Sequence, residues 1–266
     1  MFRIGLGVGR PLPSFGAFDS DAQAFLSAAG ITGATETAAV NTLVTSLKGY
    51  GIWSKMKAIY PFVGGTASTH KYNLKDPRDL DAAFRLVFNG GWTHSSTGAT
   101  PNGTNGYADT KLIPSANLSL NSTHLSYYSR TNISQEGVDM GTWQVTDKMC
   151  YLLYTYNGTA YKAINRAESV SGSNFTPTTG LLIGNRPNSS TEKYYHKGVL
   201  IDTLTTSSGG LSTIPIYIGA FNNGSASQFI TKQTAFNSIG DGLTDTEASN
   251  LYTAVQAFQT SLSRQV

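Results

Sequence analysis

Two carboxylates, Glu136 and Asp139, are the pair with which a glycoside-hydrolysing site could be built. Such a site needs two carboxyl groups that face each other across one glycosidic bond. Residues three apart in a strand point to opposite faces of the sheet, and Gly137 separates these two. The spacing therefore argues against catalysis, and we expect no enzymatic activity.

Histidine and cysteine give no stronger indication of catalysis. The four histidines are His70, His94, His124 and His196, and none lies in a His-Glu-x-x-His pattern. His94 and His124 could meet in space, although a polar loop or strand-surface role is favoured. Cys150 is the single cysteine, and its apolar neighbours predict a buried, inert thiol.

Aromatic and amide side chains suggest carbohydrate binding. A sugar site needs an aromatic platform for the apolar face of the ring and polar groups for its hydroxyls. The candidates lie in or near predicted loops and strand ends: Trp92, Tyr107, Tyr128, Trp143, Tyr195, Asn222 and Asn223, with Asn102 and Asn105 as further polar groups. The alternative is that these aromatic residues pack between sheets or against a sister subunit.

Composition favours an all-β fold with polar loops. Charged residues make up 13% of the chain, and 28 glycines, 14 tyrosines and 12 phenylalanines suit turns and strands. The net charge of +3 is scattered, without a run of Lys and Arg, so nucleic acid is not an expected partner. Because no apolar run approaches the roughly 20 residues of a membrane span, no membrane association is expected.

The N-terminal residues 1–18 predict either a disordered arm or a strand-like peptide that docks on a neighbour. They are rich in Gly and Pro and cannot bury their apolar side chains alone. Those side chains are the candidate anchoring residues: Phe2, Ile4, Leu6, Val8, Phe15 and Phe18.

Helices are predicted near both ends of the chain. Ser20 with Gln23 forms a capping-box pair, and a second helix begins near Thr35. Thr244 with Glu247 is a further capping box, and the apolar face that follows predicts about four helical turns.

Between residues 66 and 242 the pattern changes to short strands and turns. Asn157-Gly158, Lys197-Gly198 and Asn223-Gly224 each separate or follow strand-like runs, as tight hairpin turns do. This spacing predicts two packed antiparallel sheets. We divide the chain into an arm at 1–18, a helical anchoring segment at 19–65, and a β-sandwich with a C-terminal helix at 66–266.

The strand region also resembles concanavalin A-like and laminin-G-like lectin domains. The resemblance is carried by the hairpin Tyr194-Tyr195-His196-Lys197-Gly198-Val199-Leu200-Ile201, by 216–220 and 236–240, and by the entry to the last helix at 243–248. It implies a mainly-β jelly-roll sandwich. Retaining glucanases of this fold carry a Glu-x-Asp-x-x-Glu strand, which this sequence lacks. Laminin-G-like domains often hold calcium at the rim, for which Asp139 and Asp202, with Asn223, are the candidates; otherwise no cofactor is expected.

A narrower resemblance is to a family of bacteriophage virion proteins with this sandwich. It rests on Trp53-Ser54-Lys55-Met56-Lys57-Ala58-Ile59-Tyr60-Pro61-Phe62, Asn73-Leu74-Lys75-Asp76-Pro77-Arg78-Asp79, 88–92 and 238–245. It implies a capsid-decoration, head-fibre or tail-fibre protein, synthesised in the host bacterial cytoplasm and carried on the virion. The expected partners are other virion proteins through the arm, sister subunits in a homo-oligomer such as a trimer, and a host surface glycan. A free lectin and a polysaccharide-degrading enzyme of this fold are the alternatives.

Overall fold

The computed structural model describes residues 18–144, 147–152, 159–168, 170–172 and 178–266. Its α-helices are α1 (Ser20–Ala29), α2 (Ala34–Gly49), α3 (Ala67–His70), α4 (Pro114–Asn117) and α5 (Asp245–Ser261), and single 3₁₀ turns lie at Trp53–Lys55 and Asp81–Ala83. In the part described, no helix has the length and apolar character required to cross a membrane.

The strands form two sheets that are antiparallel apart from one pair. The strands are β1 (Met56–Tyr60), β2 (Val87–Asn89), β3 (Trp92–Ser95), β4 (Gly98–Pro101), β5 (Tyr107–Asp109), β6 (Thr123–Ser129), β7 (Met140–Gln144), β8 (Lys148–Leu152), β9 (Ala160–Arg166), β10 (Val170–Gly172), β11 (Gly180–Asn188), β12 (Thr191–His196), β13 (Val199–Thr205), β14 (Tyr217–Ile218), β15 (Phe221–Asn222), β16 (Ala226–Ser227) and β17 (Thr234–Gly240).

The first sheet has eight strands in the order β13-β12-β11-β6-β17-β4-β3, with β1 also paired to β17. The second has nine, in the order β10-β9-β8-β7-β14-β5-β2, with β15 and β16 added beside β7. Only the pairing of β15 with β7 is parallel among the strands described. The prediction of a mainly-β sandwich with helices near both ends of the chain is confirmed.

Two apolar layers hold the molecule together. One lies between the first sheet and the helices α1, α2 and α5, and includes Phe25, Leu47, Phe236 and Phe258. The other lies between the two sheets and includes Met140. The first sheet is therefore covered on both faces, and every residue of β6 and β17 is buried.

The segment before residue 66 belongs to this same core. Strand β1 pairs with β17, and buried side chains of α1 and α2 pack with those of α5. The predicted boundary between a helical segment at 19–65 and a sandwich at 66–266 therefore does not divide the core. Residues 1–17, with the apolar side chains from Phe2 to Phe15, lie outside the described residues, while Phe18 is described and is 40% exposed.

The predicted local signals have mixed outcomes. The Thr244–Glu247 capping box is present at the start of α5. Lys197-Gly198 forms the turn that connects β12 to β13. The first helix is capped differently from the prediction, because the side chain of Asp19, and not that of Ser20, accepts the hydrogen bond from Asp21 N. The Asn157-Gly158 turn lies outside the described residues.

Polar side chains in the doubly covered first sheet satisfy one another. His124 Nδ1 lies 2.7 Å from the carbonyl oxygen of Asp241, so this nitrogen donates and Nε2 accepts from Ser238 Oγ at 3.1 Å. Ser126 Oγ then donates to Ser238 Oγ at 2.6 Å. All three side chains are buried, and burial lowers the pKa of His124 to about 4. This serine–histidine contact therefore stabilises the pairing of β6 with β17.

We predict that His124 makes the protein less stable in acid. In the unfolded chain His124 takes up a proton when the pH falls below its ordinary pKa of 6.5. In the folded protein the same side chain stays neutral down to a pH of about 4. The contribution of His124 to the free energy of unfolding is therefore complete above pH 6.5. Below that pH it is lost by about 1.4 kcal/mol per pH unit. The free energy of unfolding, measured with urea at pH 7 and at pH 5, should fall over this interval in both proteins. The fall should be roughly 2 kcal/mol smaller in His124→Asn than in wild type. Equal losses in the two proteins would contradict the assignment.

Candidate functional site

The outer face of the second sheet carries aromatic side chains away from the helical layer. Strand β8 alternates: Cys150 and Leu152 point into the core between the sheets, whereas Met149 and Tyr151 belong to a separate apolar cluster with Phe221. Because side chains alternate along a strand, this second cluster lies on the opposite, outward face. The second sheet therefore has a partly apolar face that no other layer of the described structure covers.

A row of paired residues crosses this face. Phe221 of β15 lies opposite Gly141 of β7, Gly141 lies opposite Tyr151 of β8, and Tyr151 lies opposite Ala163 of β9. A Cβ atom at Gly141 would come within 2.1 Å of the Tyr151 Cβ. The absence of a side chain at Gly141 is thus what allows the Tyr151 and Phe221 rings to meet across β7.

The rings form one wall of a cavity of about 450 Å³. Phe221 and Trp143 are stacked, with centroids 5.7 Å apart and ring planes at 29°, and Tyr151 meets Phe221 edge-on at 5.1 Å. Trp143 is 36% exposed, whereas Tyr151 and Phe221 are almost fully buried. The cavity is lined by Glu136, Gly137, Val138, Trp143, Tyr151, Tyr161, Phe221, Asn223, Ser227 and Gln228.

Two loops supply the polar rim. The segment 136–138 is held against the other loop by a 3.0 Å hydrogen bond from Val138 N to the carbonyl oxygen of Gln228. Gly137, with φ of +136°, lets the chains approach, since a Cβ there would lie 2.4 Å from Ile230 Cγ2. The Ser227 hydroxyl is buried and has no hydrogen-bond partner in the described structure, while Asn223 is exposed. The rim thus offers polar groups to a ligand.

The arrangement matches what sugar binding requires. An exposed indole that is fixed by stacking presents a flat apolar surface, and carboxylate, amide and hydroxyl groups stand beside it. Sugars have an apolar ring face and polar edges, so one ligand can contact both kinds of group.

The structure separates the predicted sugar-binding residues into groups. Trp143 and Asn223 line the cavity. Asn222 is buried behind it and donates to the carbonyl oxygen of Pro215 at 2.8 Å. Tyr107 stacks on Tyr217 at 4.5 Å on the neighbouring strands β5 and β14.

The other predicted aromatic residues lie away from the cavity. Trp92 packs edge-on against Phe88, and its indole N–H donates to the carbonyl oxygen of Asn89. Tyr128 and Tyr195 are buried beneath the helical layer, which corrects the expectation that they lie in accessible positions. The Tyr195 hydroxyl donates to Asp245 Oδ1 at 2.7 Å and so positions the first turn of α5.

The proposed calcium ligands are already paired with lysines. Asp139 Oδ1 lies 3.0 Å from Lys232 Nζ with both side chains buried, and Asp202 Oδ2 lies 2.9 Å from Lys162 Nζ. Burial raises the pKa of Asp139 to about 6. An ammonium group beside each carboxylate opposes a divalent cation, which corrects the expectation for these two residues. Within the described ranges, no three His, Cys, Asp or Glu side chains are grouped to hold a metal.

The remaining candidates for catalysis are also separated. Glu136 lies at the cavity, but Asp139 is buried against Lys232, so the two carboxylates do not share a face. His94 does not meet His124: its Nδ1 lies 2.9 Å from that of His70. Cys150 is buried, and burial raises its pKa to about 12, as expected for an inert thiol.

Sequence reasoning missed Tyr151, Tyr161 and Phe221 as cavity residues. Tyr151 was considered only as an apolar neighbour of Cys150, although a strand at this position places Tyr151 on the face opposite to that of Cys150 and Leu152. No comparable signal marks Phe221, because its short strand pairs in parallel with a strand 80 residues earlier in the chain.

Comparison with known proteins supports the fold. No family model and no curated protein sequence matches the chain. Domain 4 of AbnA, a GH43 extracellular arabinanase from Geobacillus stearothermophilus solved in complex with arabinotriose, is similar in structure, with a TM-score of 0.51 and 14% identity over 74% of this chain and 98% of that domain.

Two longer proteins contain a similar unit. Trypanosoma rangeli sialidase gives a TM-score of 0.52 at 10% identity, over 81% of this chain and 39% of the sialidase. The binding domain of Paraclostridial Mosquitocidal Protein 1 gives 0.50 at 12% identity, over 75% of this chain and 52% of that domain. At these identities the similarities show a shared β-sandwich fold.

We predict that the Asp139–Lys232 pair is a structural contact that depends on both partners. Lys232→Met should lower the free energy of unfolding by about 3–5 kcal/mol, because it leaves a buried carboxylate without its counter-charge. The double variant Asp139→Leu/Lys232→Met should recover most of that loss. Urea unfolding of the single and double variants tests the coupling, and equal destabilisation of both would contradict it.

Proposed function

We propose that this protein is a carbohydrate-binding, lectin-like protein that holds a glycan against Trp143 on the outer face of the second sheet. The observation that carries the proposal is the cavity itself. A fixed, one-third-exposed indole is combined there with unpaired polar groups on two loops. One sugar ring would stack on the indole, and its hydroxyls would reach Glu136, Asn223 and Ser227.

Two features of the cavity lower the free-energy cost of binding a sugar ring against Trp143. Phe221 stacks on the Trp143 ring and is itself packed against Tyr151, so little side-chain freedom is lost at Trp143 when a ligand arrives. The Ser227 hydroxyl has no hydrogen-bond partner in the described structure, and rotation of its side chain toward the cavity would let it bond a ligand. Both effects lower the cost of binding without requiring movement of the sheet.

The comparisons agree with this proposal without deciding it. The arabinanase domain that this chain spans almost completely was solved with arabinotriose, a neutral oligosaccharide. The mosquitocidal protein fragment is described as a binding domain. Arabinotriose is accordingly the first probe to use.

Trp143→Ala is predicted to weaken oligosaccharide binding at least about tenfold, because it removes the stacking surface, worth roughly 1.4 kcal/mol or more. Titration calorimetry with arabinotriose and with a panel of neutral oligosaccharides measures the effect. Trp143→Phe should retain part of the affinity.

A matched control is available on the opposite side of the molecule. Tyr50 is an exposed aromatic residue at the end of α2 in the helical layer, so Tyr50→Ala should leave binding unchanged. Thermal unfolding of each variant confirms that it is folded. If wild type binds none of the probes, or if Trp143→Ala binds as wild type does, the proposed function fails.

We further propose a virion context, which rests on the sequence resemblance at 53–62, 73–79, 88–92 and 238–245. In this view the protein is a capsid or fibre component, oligomeric on the particle, and displays its glycan-binding face toward the host. Antibodies against the sandwich should label purified particles in electron micrographs. Particles that carry no label, although the free protein is recognised, would contradict the virion assignment and leave glycan binding intact.

A further inference from the structure

Glu136 is one of the few acidic residues whose carboxylate has no partner among the described residues. Most acidic side chains in the described part form ion pairs with Lys or Arg, including those of Asp139, Asp202 and Glu192. Glu136 is exposed at the cavity rim and forms neither an ion pair nor a hydrogen bond with any described residue. Its negative charge therefore faces the ligand space uncompensated.

The described residues that line the cavity also carry no positive charge. None of the described residues that line it is Lys, Arg or His. Lys162 and Arg166 of the neighbouring strand β9 are buried in the sandwich, where they pair with Asp202 and Glu192. Outside the described ranges, the only Lys, Arg or His residues of the sequence are Arg3 and Arg10.

The aromatic wall adds to the negative electrostatic potential of the cavity. The faces of indole, phenol and phenyl rings carry negative electrostatic potential and attract cations. Trp143 presents such a surface on the cavity that Glu136 lines. An ammonium group in this cavity would meet both a carboxylate and a ring face, whereas a ligand carboxylate would meet a like charge and no counter-charge.

Resting on the proposed glycan binding, we propose that Glu136 makes the cavity selective for charge. Amino sugars with a free ammonium group bind most tightly, neutral sugars bind less tightly, and sugars that carry a carboxylate are rejected. The physical basis is that the Glu136 carboxylate forms an ion pair with an ammonium, in which both partners are charged. With a hydroxyl it forms a hydrogen bond in which only the acceptor is charged, and with a ligand carboxylate it forms no hydrogen bond and meets a like charge.

The experiment uses three tetrasaccharides with the same β-1,4 linkage. They are the tetramers of glucosamine, glucose and glucuronate. Each is titrated into the 266-residue chain at pH 6 in about 50 mM salt so that screening stays moderate. Wild type should bind the glucosamine tetramer about tenfold more tightly than the glucose tetramer, and the glucuronate tetramer more weakly than both. Raising the salt concentration should reduce the differences in affinity among the three tetramers.

Variants at one position identify the source of the selectivity. Glu136→Gln should bring the three affinities within about threefold of one another, and Glu136→Lys should invert their order. Glu36→Gln is the matched control, because Glu36 also forms no ion pair with a described residue but lies on α2 in the helical layer. It should keep the wild-type order.

The outcomes separate this proposal from the one on which it rests. If arabinotriose binds and the three tetramers bind equally, or the order survives in Glu136→Gln, charge selection by Glu136 is wrong while glycan binding stands. If arabinotriose binds but the glucosamine tetramer does not, the proposed order is likewise overturned. If no saccharide binds wild type, the proposed function itself fails.

Discussion

The whole molecule depends on the burial of the first sheet on both of its faces. Helices α1, α2 and α5 cover one face and the second sheet covers the other, so that every residue of β6 and β17 is removed from water. Polar side chains on these strands must then find partners inside the protein. One consequence is the pair of hydrogen bonds of His124, which donates to the Asp241 carbonyl and accepts from Ser238. Another is that the only broad sheet face left open in the described structure is the outer face of the second sheet.

Buried charges tie the helical layer to this arrangement. Arg264, just after α5, is fully buried and donates to the carbonyl oxygens of Pro61, Phe62 and Ala235. Burial lowers its pKa to about 9, although it still carries its proton at neutral pH. Because these acceptors lie just after β1 and within β17, the C-terminal segment, the first strand and the last strand are joined at one point. The helices are therefore a structural layer of the sandwich, and they form one of its two large apolar layers together with the first sheet.

The sequence predicted correctly those features that neighbouring residues determine. It predicted burial poorly in strands whose two faces are both covered, because such strands show no alternation of polar and apolar residues. The capping box at Thr244 and the turn at Lys197-Gly198 are set by neighbouring residues, and both are confirmed. Strand alternation identifies an exposed face only when one face meets water, so Tyr128 and Tyr195, on doubly covered strands, could not be recognised as buried from their spacing. Two of the predicted sugar-binding residues, Trp143 and Asn223, line the cavity, and both fall in or near predicted loops and strand ends. Phe221 and Tyr151 could not be joined to them, because Gly141 brings these rings together only once β15 has paired with β7.

The division between a buried scaffold and an open face also explains why a shared fold says little about ligand choice. Changes in the first sheet must preserve packing on two sides and the hydrogen bonds of buried polar groups, which restricts them strongly. The cavity residues on the outer face are restricted less: Glu136, Asn223 and Gln228 lie on loops, and their side chains are exposed. A single replacement there can change the charge of the cavity without disturbing Phe221 or Tyr151, which belong to the sheet. Ligand preference on this scaffold is therefore set by the loop residues around a fixed aromatic wall, and it must be inferred from their charges and partners.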